Sequence, residues 1–309
     1  IDAFRVFAKT DNSLYTNSNP TNGEFICPSS GKPCSCAESK VHNCESSSGD
    51  ATSGDHGPVS HSEIDGTLYN ERELIFPPEL VQRNDLPLKL HGFGGIRWYR
   101  PLKLEALLDL KSLYPNAKLV VGNTEVGIEI NFKNAKYPIL ISVTHVHELN
   151  AMNIKENGLE IGSSVRLSKL QQVLIKVIAE RDIHETSSCR AIYEQLKWFA
   201  GKQVKNVASV GGNICTASPI SDLNPLWMAT RTEFRIVGSK GNIRTVLAKD
   251  FFLGYRKVDL SQGEILLSIF LPWSRRFEFV KEYKQSHRRE DDIALVNSGM
   301  RVYLQEAES

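Results

Sequence analysis

Apolar side chains are spread unevenly along the 309 residues. Residues 2–10 (DAFRVFAKT) space Phe4, Val6 and Phe7 like the end of a helix whose apolar side needs a partner. Over residues 11–73 the apolar content collapses, and stretches such as CESSSGDATSG (44–54) predict a mobile linker. Globular patterning begins at LIFPPEL (74–80), and HGFGGIRWYRP (91–101) opens the main domain. From there helical and extended periods alternate. Leu104, Leu107 and Leu108 predict a helix over 103–114, and AKLVVGN (117–123) predicts a buried strand ending in a turn. YPILISV (137–143) and the alternating GLEIGSSV (158–165) predict two further strands. Leu170, Val173, Leu174, Val177 and Ile178 form one stripe, predicting a helix over 169–181 with Ser168 and Gln171 as a capping box. A second helix over 187–200 presents Cys189, Ile192, Tyr193 and Leu196, with Gly201 as its C-cap. Strands return at EFRIV (233–237) and EILLSIFL (264–271). The pattern is mixed α+β with no internal repeat.

Composition narrows the function classes. Hydrophobic residues make up 41% and charged residues 24%, ordinary for a globular protein. Basic and acidic residues number 37 and 36, so no net field recruits nucleic acid or an anionic membrane. No apolar run approaches the roughly 18 residues of a membrane span. A start at Ile1, without methionine or a secretory pattern, leads us to expect a fragment or processed product and a cytoplasmic setting. Cys27, Cys34, Cys36 and Cys44 follow a C-x6-C-x-C-x7-C spacing that matches no usual zinc site, so free thiols in the linker are expected, with no metal bound.

Two glycine-rich stretches carry the candidate chemistry: LVVGNTEVG (119–127) and SVGGNICTASPISD (209–222). Each leaves an apolar element, reaches glycine and continues through small polar residues. The second, with little beyond Val210, Ile214 and Ile220, is expected to fill no core. Glycine allows positive φ and close approach to a ligand, and successive N–H groups in such turns can bind phosphate oxygens. The familiar nucleotide motifs fail: GNTEVG lacks the following Lys-Ser/Thr, and GFGGIR lacks the third glycine of the dinucleotide fingerprint. Each stretch is therefore either a plain tight turn or half of a diphosphate clasp. His145 and His147 in THVHEL are expected on one face of a strand, structural for want of a third ligand.

Longer segments resemble a known family. KLVVGNTEVGIE, LKWFAGKQVKNVASVGGNICTASPISDLNP, FFLGYRK, EILLS and YKQSHRREDDIALVNSGMRV are similar to the FAD-binding part of the xanthine dehydrogenases of the molybdenum hydroxylase family, the start DAFRVFAKTDNSLYTN looks plant-like, and aldehyde oxidases are confusable relatives. The likeness runs over residues 91–309, and residues 1–10 resemble the exit from that family's iron–sulfur domain. It implies a two-subdomain FAD-binding fold of the vanillyl-alcohol-oxidase/PCMH type rather than a Rossmann sheet. A PCMH-type domain is expected over 91–276, and over 277–309 the start of a truncated subdomain like the CO-dehydrogenase flavoprotein C-terminal one.

The resemblance also assigns roles. Leu119, Val120, Val121, Gly122, Asn123, Thr124, Glu125 and Val126 would face the FAD diphosphate, with Ser209 on a phosphate oxygen and Asp222 on ribose hydroxyls. Phe199 would lie against the flavin and Leu266 near the adenine. Lys284 would sit beside the isoalloxazine, where a cation favours the charge of the reduced ring, and Asp291 would face the flavin and the NAD site. Lys197 departs from the arginine of some relatives. The implied partners are NAD+/NADH and the [2Fe–2S] and molybdopterin domains of a complete, homodimeric enzyme that turns xanthine into urate in purine catabolism. A flavin domain of an aldehyde oxidase and a truncated, cofactor-free interaction module are the alternatives.

Overall fold

The computed structural model describes residues 86–288 and 292–305, all inside the compact unit Gln82–Ser309. The helix end, the whole linker, its four cysteines and Asp291 lie outside the described residues.

Strands β1 (Leu88–His91) and β2 (Arg97–Arg100) pair antiparallel. Helix α1 (Leu104–Leu113), β3 (Lys118–Val120), helix α2 (Val126–Lys133) and β4 (Ile139–Ser142) follow. Both β2 and β3 lie parallel to β4, giving a mixed sheet of order β1-β2-β4-β3. A short helix α3 (His147–Asn150) then leads to β5 (Met152–Ile154) and β6 (Gly158–Gly162). Five helices come next: α4 (Leu167–Glu180), α5 (Ser187–Lys197), α6 (Lys202–Lys205), α7 (Val210–Thr216) and α8 (Asn224–Ala229). Strands β7 (Glu233–Val237) and β8 (Ile243–Leu247), helix α9 (Ala248–Phe251), the small pair β9 (Phe252–Gly254) and β10 (Lys257–Val258), and β11 (Ile265–Pro272) complete the second layer. There β5-β6-β11-β7-β8 form a wholly antiparallel sheet, which excludes a Rossmann arrangement. Strands β12 (Glu278–Ser286) and β13 (Ala294–Tyr303) form a separate hairpin.

Central strand β11 explains how one chain segment serves two cores. A bulge between Leu266 and Ser268 slips its side-chain alternation by one residue. Leu266, Ile269 and Leu271 thus join the main core with Leu159, Leu170, Leu174, Ile192 and Trp227, while Ile265 and Leu267 join the smaller core with Leu107, Ile141 and Leu149. Burial of both faces also explains why β6 does not alternate as expected: four of its five residues are buried.

Four local expectations are corrected. Helix α4 starts at Leu167, so Ser168 and Gln171 lie inside it; the cap is Arg166, which makes no side-chain cap bond. Pairing sets that start, because Arg166 bridges to Ser209 and the Leu167 N–H donates to Ala208 O. Helix α5 ends at Lys197 with Trp198 as its C-cap, whereas Gly201, in extended backbone, caps the start of α6. The stretch 209–222 is not all loop: Val210–Thr216 is helical, and Val210 and Ile214 are fully buried. His145 and His147 share no strand, since His147 begins α3.

The hairpin sits on α5 and α8, and so closely that a Cβ on Gly299 would lie 2.6 Å from Pro225 O. At its base the buried Glu278 is held by Arg231 (3.1 Å), Arg301 (3.1 Å) and the Arg275 N–H (2.9 Å). Burial alone would raise this carboxyl, yet the two guanidiniums and the N–H hold it below its usual value. A depressed folded-state value adds stability above the unfolded pKa of about 4.3, lost as pH falls through the folded value. Glu278→Gln is therefore expected to cost about 2 kcal/mol at pH 7 and to flatten the acid limb of the stability–pH curve measured by urea unfolding.

Candidate functional site

A cavity of about 670 Å³ opens where the mixed sheet, β11 and helix α7 meet. Its first wall is the turn from β3 to α2. There the backbone reverses through Asn123 in the left-handed region (φ 58°), and Gly122 passes directly over another segment. A Cβ on Gly122 would stand 2.1 Å from Val207 O and 2.9 Å from Ala208 N. The Val207 carbonyl also accepts from Arg166 Nη1 at 2.7 Å. The first glycine stretch is thus packed on the segment that leads into the second, which begins at Ser209 two residues on.

The second wall is α7. Ser209 is its N-cap, its Oγ accepting from the Gly212 N–H at 3.1 Å. Gly211 is closed in on its other side, since a Cβ there would lie 2.6 Å from the Cβ of Ser163. Leu119–Val126, Phe199, Ser209, Asp222 and Leu266 all line the cavity, so twelve of the fourteen expected residues converge on it. Lys284 does not line it; it lies behind Asp222, its Nζ donating to Asp222 Oδ2 and to Trp198 O, each at 2.8 Å. Asp291 is outside the described residues, while its neighbours Asp292 and Ile293 reach the cavity. Sequence reasoning passed over Asp292, and the DD pair was the signal available. It also missed Lys111, Lys118, Glu129, Asn213, Arg256 and Glu264, brought in from separate elements.

Electrostatics decide what the cavity can recognise. Each cation lining it is already engaged. Lys118 pairs with Glu129 (3.1 Å), which Tyr137 also bonds. Burial opposes the charge on Lys118, but Glu129 outweighs it and holds the ammonium above its usual value. Arg256 reaches across from the β9–β10 turn to Glu125 at 2.7 Å, and the hydrogen bond it donates to that carboxylate raises its pKa. Lys111 is turned onto the carbonyls of Pro115 and Ala117, and burial lowers its pKa. In contrast, the main-chain N–H groups of Gly122, Asn123, Thr124 and Glu125 have no acceptor among the described residues. Burial pushes the Cys215 thiol at the cavity wall up to about 12, so it supplies no thiolate. No cluster of three metal-ligating side chains occurs among the described residues, and none of their helices is long and apolar enough to cross a membrane. The wall therefore offers an anionic ligand a row of neutral amide donors. A volume within the roughly 300–1,000 Å³ of small-molecule sites suits a nucleotide-sized molecule.

Residues 92–274 match the family described as the FAD binding domain in molybdopterin dehydrogenase. The chain belongs to that family. The free amides and the glycines that no Cβ could replace fit an FAD-binding domain with a two-layer α+β fold. Similar curated proteins include a xanthine dehydrogenase of Oryza sativa subsp. japonica, 65% identical over all of this chain, and xanthine dehydrogenase 1 of Arabidopsis thaliana, 58% identical over 99% of it. The chain spans 23% and 22% of those two proteins. Among solved structures, quinoline 2-oxidoreductase from Pseudomonas putida 86 shares the fold of this FAD-binding domain: TM-score 0.60 and 20% identity, covering 69% of this chain and 70% of that one.

Proposed function

We propose that this chain binds FAD across the cavity and forms the flavin section of a xanthine dehydrogenase-like oxidoreductase. In that enzyme, electrons arriving from [2Fe–2S] clusters would leave as a hydride to NAD+, with xanthine oxidised at a molybdopterin domain elsewhere. The observation that carries the reading is the row of four unpartnered amides, Gly122 to Glu125, beside a wall whose cations are all engaged. FAD, when bound, supplies the two-electron chemistry. The chain's residues do the holding. The Leu119–Val126 turn and Ser209 grip the diphosphate, and Asp222 accepts from ribose hydroxyls. Leu266 borders the adenine and Phe199 packs on the ring system, a flat surface against a flat surface. Lys284 and Asp291 act on the flavin and NAD side. For Lys284 this influence passes through Asp222, which stands between it and the cavity.

Neutral donors make a testable difference. A diphosphate held by lysines and arginines would be released by salt, whereas one held by amides is screened little. Titrating FAD into the protein and following flavin fluorescence, we expect Kd to change less than about threefold between 50 and 500 mM NaCl. Absence of quenching at any salt overturns FAD binding. Flavin uptake without NADH-dependent dye reduction overturns only the NAD assignment.

A further inference from the structure

The group that holds Asp222 in place lies outside both glycine stretches. Lys284 and Asn297 are directly opposite each other in the β12–β13 ladder, and their side chains take one oxygen each of the same carboxylate. Lys284 Nζ binds Asp222 Oδ2 at 2.8 Å, and Asn297 Nδ2 binds Asp222 Oδ1 at 2.9 Å. The amide of Asn297 is not free to turn over. Its Oδ1 accepts from Gln195 Nε2 at 3.3 Å, and Gln195, on α5, is 1% exposed. A reversed amide would aim an oxygen at the carboxylate and an NH2 at the NH2 of Gln195, losing both bonds.

We propose that Asn297, oriented by Gln195, is a positioning residue for the cofactor cavity: it fixes the angle at which Asp222 presents its carboxylate to a hydroxyl-bearing ligand. This rests on the FAD reading given above and extends it to two residues that the glycine motifs do not contain. Lys284 alone would leave Asp222 able to swing about a single contact. With Asn297 the carboxylate is held at both oxygens by one cross-strand pair, so its remaining lone pairs keep fixed directions. A pre-set acceptor spares the ligand the cost of ordering it. The hairpin thereby takes part in binding although Lys284, its residue behind Asp222, does not reach the cavity.

The test is a series at Asn297 in the intact protein, with FAD as the titrant and fluorescence quenching as the readout. Asn297→Thr keeps a donor, Asn297→Leu keeps the volume without one, and Asn297→Asp replaces the donor with a second carboxylate. The expected order of FAD Kd is wild type, then Thr, then Leu, then Asp. The Leu variant should bind about tenfold more weakly, the scale of a hydrogen bond to a charged group, and the Asp variant more weakly still. Gln195→Leu, which frees the amide to flip, should fall between Thr and Leu. Melting temperatures recorded on the same samples separate folding from binding. A purely structural role would make Kd insensitive to donor capacity, with Thr and Leu binding alike in folded protein. That result overturns the positioning role while leaving FAD binding intact, whereas a wild-type protein that quenches no flavin overturns both.

Discussion

Gly122→Ala is expected to reduce FAD affinity by at least about a hundredfold. The added carbon would lie 2.1 Å from Val207 O and 2.4 Å from Val207 C, both backbone atoms that cannot rotate away. Relief requires the β3–α2 turn to lift off the segment leading into Ser209. The turn carries the four amides proposed to hold the diphosphate, and a displacement of even 1 Å breaks hydrogen bonds that need donor–acceptor distances near 3 Å. Losing two of them at about 1.5 kcal/mol each gives the hundredfold. Overpacking should add a stability cost of about 1–3 kcal/mol. Gly254→Ala is the control, because nothing lies within 4 Å of a Cβ there and the residue is outside the cavity. Equal FAD affinity for Gly122→Ala and Gly254→Ala in flavin titration would show that the turn does not hold the cofactor.

The same contact shows what the sequence makes legible and what it conceals. Strands β3, β4, β7 and β11 and helices α1 and α4 are visible as apolar runs and stripes, because their periods follow from which face is buried. The turn 119–126 is legible for another reason: glycine between an apolar strand and small polar residues leaves few alternatives. Helix α7 is concealed. Two glycines in its first turn argue against a helix by propensity, and only the complete burial of Val210 and Ile214 against the main core compensates. The bulge in β11 is equally silent, since ILLSIFL is apolar on both sides of its single serine and carries no alternation to be broken. Relations across long stretches of chain are hidden altogether. Asp222 and Lys284, 62 residues apart, could be assigned separate places in the site by resemblance. That they neutralise each other needed the hairpin to be seen lying on α5 and α8.

That pairing leads to the second large effect. Lys284→Ala is expected to destabilise the protein by about 3–5 kcal/mol, because the partners are 6% and 8% exposed and removal of one strands the other's charge. Asn297 would still bond Asp222, but one neutral donor does not replace an ammonium. Replacing both charges, Lys284→Met with Asp222→Asn, should recover all but about 1–2 kcal/mol in urea unfolding, since no buried ion is then left alone. The two variants should also separate in the flavin's midpoint potential. A lone Asp222 carboxylate at the cavity wall disfavours added electron density, so the potential of Lys284→Ala falls, and removing both charges returns it toward wild type. A double variant no more stable than the single one would mean that the carboxylate is not stranded and that solvent reaches it. If the potential of Lys284→Ala were also unchanged, Lys284 would have no electrostatic hold on the flavin, and its place behind Asp222 would be structural alone.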